Sequence, residues 1–290
     1  MTTMTPPSTA LPAVRSIRFT QPLSWLSRGA RDLWRARSAS LAQGVALAAF
    51  SLLVLMLGRD HFWMLAGALS GFLVVAPVVA TGFYVLSRAL ERGEAAHLGV
   101  VARTLLFWQT HYRSRWDHDY WCLVRFGLLL GLAGTGWVLT SAALITWMAD
   151  AAVRTPLDFL ERVVLAPDGT LFALWLALGS LLAAPIFASS VVAVPLLLDR
   201  RIGVWSAVLT SWRTVLANPA TMAMWVSLIL ALTLLGMATM MLGLALVMPL
   251  LGHASWHAYR DLVDVSGVPE REPAAGSDGQ GAASLKAMAS

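Results

Sequence analysis

Cysteine is almost absent: Cys122 stands alone in 290 residues, which excludes an intramolecular disulfide and any cysteine-rich metal site. It follows Trp121 at the head of an apolar run, where its natural role is that of a small packed residue. Charge is scarce as well. Only 13% of the residues are charged and 58% are hydrophobic, whereas a soluble globular protein carries about 25% charged residues. So little charge cannot cover a water-facing surface of this size, and much of the surface must face lipid. Lysine is nearly missing, since the basic residues are 20 arginines and one lysine. Arginine this dominant, with abundant alanine and glycine, is the composition of a GC-rich bacterial genome. The net charge of +5 does not point to nucleic acid, because the arginines flank apolar runs, where they orient a chain in a bilayer. About forty residues precede the first such run, too many for a secretory signal peptide, so the first span is expected to act as an uncleaved anchor.

Hydropathy divides the chain into six runs with almost no charge, at 41–58, 62–87, 122–148, 171–198, 220–236 and 237–257. About twenty apolar residues cross a bilayer core, so the pattern predicts an all-α, polytopic bundle of about six transmembrane helices. Pro77 predicts a kink in the second span, because proline removes a backbone donor and crowds the preceding turn. The last two runs form one apolar stretch, Ala220–Tyr259. As a single helix it would be about 60 Å long, against a hydrocarbon core of about 30 Å. A tight turn near Gly236 is therefore expected, although no charged residue marks it; one long tilted helix leaving the membrane is the alternative. Residues 15–265 read as one integral membrane domain. The flanking residues 1–14 and 266–290 have little hydrophobic bulk and are expected to be disordered.

Three stretches between the runs are amphipathic. Trp25, Leu26, Leu33 and Trp34 recur among Arg28, Arg31, Arg35 and Arg37. Leu98, Val101, Leu105, Trp108 and Tyr112 share one helical face, as do Ile202, Trp205, Leu209, Trp212 and Leu216. Each suits a helix lying in the membrane interface. Arginine counts orient the chain. The N-terminal segment holds six, Arg88–Tyr120 five and Asp199–Pro219 three, against Arg59, Arg154 and Arg162 in the loops on the other side. The N-terminus and all three amphipathic stretches are therefore expected to be cytoplasmic, as is the C-terminus if there are six spans.

Residues able to carry chemistry are few. His253 and His257 stand i, i+4 on the last helix, a geometry that could hold a metal or meet haem. No third ligand is assured nearby, so an interfacial hydrogen-bonding role is expected instead. Ionisable groups inside a bilayer mark ion pathways, yet the spans contain only Arg125, near enough to its helix end to snorkel. Asp199-Arg200-Arg201 reads as an ion pair at a membrane edge. Asp117/Asp119 and Glu91/Glu94 read as solvated surface, and Gly67/Gly71 and Gly127/Gly131 as close helix contacts.

Several segments carry a family resemblance. They include Trp25-Leu26, Gly29 and Asp32-Leu33; Ser70-Gly71-Phe72, Pro77, Gly82 and Tyr84; and Ser87-Arg88 with Glu91 and Gly93-Glu94. Later in the chain come Pro195–Arg200, Thr210-Ser211, Asn218-Pro219 and Gly252–Arg260. Together they resemble a family of uncharacterised bacterial integral membrane proteins over roughly Val14–Val265. The resemblance implies about six spans and no assigned activity. Members are sometimes labelled cytochrome c oxidase subunit I-like, but such subunits bury haem and copper histidines in several spans. Here His61, His97, His111 and His118 all fall in predicted loops.

These readings converge on a non-enzymatic, multi-pass protein of the bacterial inner membrane with no cofactor. Its expected partners are the lipid bilayer and other membrane proteins, which it binds or helps to assemble. A permease-like protein for a small or uncharged solute is the alternative, and a redox enzyme a distant third. Pro77, Arg88, Pro195, Asp199, Arg200, Trp256 and Arg260 are the residues expected to carry structure or an interface.

Overall fold

A computed structural model of the chain describes residues 11–58, 80–107 and 120–271. Pro77, Trp63, Trp108, Tyr112, Asp117, Asp119 and most of the second expected span lie outside the described residues.

Helix α1 spans Gln21–Arg35, with Pro22 in its first turn, where a missing backbone donor breaks no helical hydrogen bond. Ala36 leaves helical geometry, and α2 follows at Arg37–Gly58. Residues 80–91 form the described part of α3, and α4 is Leu98–Phe107. The long α5, Tyr120–Met148, is followed by a short α6, Pro156–Phe159, which widens into a π-turn at Leu160–Val164. Then come α7 at Thr170–Ser190, α8 at Ala193–Asp199, α9 at Val204–Ala217, α10 at Pro219–Ala238 and α11 at Leu244–Leu262. The all-α class expected from hydropathy is what the chain adopts. Among the described residues, three stretches are long and apolar enough to cross a membrane: Arg37–Leu57, Thr170–Asp199 and Pro219–Ala238.

Helix α11 is the hub, in contact with α1, α2, α8 and α10. Two glycines let its neighbours come close. A Cβ on Gly29 of α1 would stand 2.7 Å from the Ala254 backbone nitrogen, and one on Gly44 of α2 would stand 2.1 Å from the Ala245 carbonyl oxygen. Backbone-to-backbone approach of this kind is how small residues serve helix packing in membranes. It also moves α1 inward. The expected interfacial stripe of α1 is split, with Trp25 and Leu33 buried in the protein and Trp34 left outside.

The α10–α11 link departs from expectation in detail. The apolar stretch is two helices, but the turn lies at 239–243, a few residues past Gly236. Met240 and Met241 occupy left-handed geometry, φ 52° and 68°, without a glycine. Thr239 compensates locally, its hydroxyl donating to the Gly236 carbonyl and accepting the Gly243 N–H at 2.7 Å. The Thr170–Asp199 run is also broken, with Val191 and Val192 between α7 and α8. There the Val192 N–H is taken by the Ser211 hydroxyl of α9 at 3.2 Å.

Of the flanking segments, residues 11–14 and 266–271 are described, and both are held by hydrogen bonds. Ala13–Val14 (β1) pairs antiparallel with Val263–Asp264 (β2), directly after α11. Asn218 clasps the same N-terminal strand, accepting from Ile17 N–H and donating to the Arg15 carbonyl. Residues 266–271, expected to be disordered, run on as a strap. Arg201 N–H donates to Pro269 O and Arg271 N–H to Asp199 O, both at 2.9 Å. Backbone pairing and buried charge, rather than hydrophobic bulk, hold these segments. Away from the hub, α5, the π-turn and α7 form a smaller cluster around Ile145, Val153, Val163 and Leu171. Trp137 packs there against Trp175 at 5.3 Å.

Candidate functional site

Many of the buried polar and charged side chains, among them Asp32, Ser87, Arg88, Asp199 and His253, gather where α1, α3, α8 and α11 meet. The first group is centred on His253. Its ring is fully buried, with Nδ1 2.7 Å from Ser87 Oγ on α3 and Nε2 2.9 Å from Ser40 Oγ on α2. Ser87 donates its hydroxyl to Asp32 Oδ2 at 2.9 Å. Its oxygen must then accept from His253 Nδ1–H, and in a neutral ring Nε2 accepts the Ser40 hydroxyl. Four residues on four helices thus form one directed chain of donors, from Ser40 through His253 and Ser87 to Asp32. His257 Nε2 joins the same Asp32 oxygen at 2.8 Å. Burial pushes the Asp32 carboxyl up, but His257 and Ser87 outweigh it and hold the group below the usual carboxylate range.

The i, i+4 spacing of His253 and His257 does place both on one side of α11. What they meet is a carboxylate and two serines. Ligating a metal would require breaking these bonds, and no cluster of three His, Cys, Asp or Glu able to hold one occurs among the described residues.

The second group is centred on the buried Asp199. Its Oδ1 stands 3.0 Å from Arg88 Nε and its Oδ2 3.0 Å from Arg200 Nε, while Tyr259 donates its hydroxyl to Oδ2 at 2.8 Å. Arg260 Nη1 approaches at 3.7 Å. Arg260 is also paired with Glu91, at 2.8 Å, and Trp256 Nε1 donates to the same carboxylate at 2.9 Å. The C-terminal strap closes the group, because Arg88 donates to the Arg271 carbonyl and Glu270 pairs with Arg200 and Arg92. Arg88, Asp199, Arg200, Trp256 and Arg260, separated by as many as 172 positions in sequence, therefore meet in one cluster. Pro195 is buried beside it in α8. Glu91 is exposed, as expected, and is in addition a partner of Arg260 and Trp256.

A third carboxylate, Asp261, ties α1 to α11. It accepts from Gln21 and from Trp25 Nε1, each at 2.8 Å, and pairs with Arg28. Burial raises its carboxyl, and these three donors more than reverse the effect, leaving it below its ordinary value. Trp25 is wedged edge-on against Trp225 at 5.4 Å.

Sequence reasoning overlooked Asp32, Ser40 and Ser87 as members of a site. A signal exists for two of them, since Asp32 and Ser87 belong to the segments that carry the family resemblance. Ser40 has none, being one more serine at the head of an apolar run.

On the outer surface, α9 is turned opposite to a soluble amphipathic helix. Ala207, Thr210, Ser211 and Thr214 face the protein, while Trp205 is 75% exposed and Leu216 71%. The expected stripe exists and points outward. In water it would be a liability; beside lipid it is an anchor.

Long apolar helices with outward-facing leucines, joined at one end by buried ion pairs, define a multi-helix integral membrane protein. Residues 64–199 match the model of a family described as predicted integral membrane protein (DUF2189). The resemblance found in the sequence is thus confirmed over a stretch that contains Ser87, Arg88, Glu91 and Asp199. No curated protein and no solved structure matches the chain.

Proposed function

We propose that the protein is a non-catalytic binding or assembly component of a bacterial inner membrane, with six spans and a cytoplasmic N-terminus. Its cytoplasmic side works as a rigid platform. The outward stripe of α9 carries this reading, because Trp205 and Leu216 project fully from the protein, with Leu209 and Trp212 partly exposed between them. The polar clusters behind that surface support it. Their side chains bond to each other across α1, α2, α3, α8 and α11, an arrangement that fixes helices in place. The permease alternative would use the α7–α8 break as a path, but Ser211 fills that break by accepting the Val192 N–H. Broken helices that form pathways line cavities with their freed backbone groups.

The test is depth. With Cys122→Ser as background, nitroxide labels at Trp205→Cys and Leu216→Cys in reconstituted protein should collide with oxygen much more often than with a water-soluble nickel chelate. Labels as open to the chelate as one at Thr20 would remove α9 from the interface and the proposal with it.

A further inference from the structure

We propose that the arginine-rich side of the protein is a binding rim for anionic phospholipid headgroups, formed by Arg31, Arg35 and Arg37 at the α1–α2 junction and by Arg201 and Arg213 on and beside α9. This rests on the membrane-platform reading and adds a chemical identity to what the platform holds.

On this side, Asp32, Glu91, Asp199, Asp261, Asp264 and Glu270 are each bound to a histidine or an arginine of the protein. Arg18, Arg31, Arg35, Arg37, Arg103, Arg201 and Arg213 are exposed, and none has a carboxylate partner among the described residues. Glu94 is the one described acid on this side that remains unpaired. The acids are engaged by the protein's own cations, and a band of exposed guanidinium groups without carboxylate partners remains.

Position gives this band its partner. Trp34 is 68% exposed between Arg31 and Arg35, and Trp212 precedes Arg213 on the helix whose apolar stripe points outward. Tryptophan rings settle at headgroup level, so the neighbouring guanidinium groups reach the plane of lipid phosphates. A guanidinium offers two parallel N–H donors to phosphate oxygens, a fit that a lysine cannot make. Each such basic group near an anionic surface contributes about 1 kcal/mol. The complementary occupant is a negatively charged phospholipid of the bilayer in which the protein sits.

The test uses the full chain reconstituted in vesicles of phosphatidylcholine and phosphatidylglycerol. Trace spin-labelled lipids of each kind report the fraction immobilised on the protein. The expected result is a preference of about five-fold for the phosphatidylglycerol label, the equivalent of one such contact. It should fall toward equality in R31Q/R35Q/R213Q and on raising the salt concentration. R213Q alone should lose part of the preference, and serves if the triple variant does not fold. Equal immobilisation of the two labels, or a preference unchanged by R213Q, overturns the inference. An α9 that lies at the interface without lipid preference sinks only this inference; an α9 in water sinks the platform reading as well.

Discussion

Asp199→Ala is expected to remove about 3–5 kcal/mol of stability, the cost of leaving buried charge without its partner. Four side chains converge on this carboxylate: Arg88, Arg200, Tyr259 and Arg260. Arg88 and Arg200 are nearly buried, so water cannot replace the lost carboxylate without opening the strap at 266–271. Denaturant unfolding in detergent micelles, followed by circular dichroism, measures the loss. Tyr259→Phe is the smaller companion, removing one hydrogen bond for about 1–2 kcal/mol. An Asp199→Ala protein within about 0.5 kcal/mol of the parent, the range of an ordinary surface substitution, would mean that the cluster is peripheral.

Gly44→Leu should approach the lower end of the Asp199→Ala loss, for a steric reason. The first side-chain carbon would already lie 2.1 Å from the Ala245 carbonyl oxygen, a backbone atom of α11 that cannot rotate away. α2 must then separate from α11, and the distance between Ser40 and His253 grows with it. Overpacking costs about 1–3 kcal/mol where neighbours can shift, and the upper end applies where the obstacle is backbone. Gly136→Ala is the matched control. It lies on α5 with nothing within 4 Å of its would-be Cβ, so it should be neutral or gain up to about 1 kcal/mol from helix propensity. Equal behaviour of the two variants in the same unfolding assay would refute close packing of α2 on α11.

Much of this architecture was legible in the sequence. The helix-forming runs followed hydropathy because lipid demands long uninterrupted apolar helices. Asn218-Pro219 ends α9, and the spacing of Trp205, Leu209, Trp212 and Leu216 located its outward face. Periodicity could not say that α1 packs inward, because Trp25 suits a headgroup region as well as a core. What moves it is the glycine at position 29 and the distant carboxylate of Asp261. The turn at 239–243 was hidden because methionines, not glycines, take the left-handed positions. Residues 13–14 are held by pairing with 263–264, and residues 269 and 271 by pairing with 201 and 199, long-range partners that local composition does not encode. The site was legible only as fragments. His253, Asp199 and Arg88 were each noticeable, but their partners Ser40, Ser87 and Tyr259 are common residues made special by burial.

In the proposed orientation the arginine-rich surfaces of α1 and α9 share the cytoplasmic side and the α5–α7 loop lies opposite. Single cysteines at Arg31→Cys, Arg213→Cys and Asp168→Cys, in a Cys122→Ser background, can be labelled with a membrane-impermeant maleimide in inside-out and right-side-out vesicles. Positions 31 and 213 are predicted to react in inside-out vesicles and position 168 in right-side-out vesicles. Reaction of 31 and 213 from opposite faces, or of 168 from the same face as either, would contradict the account.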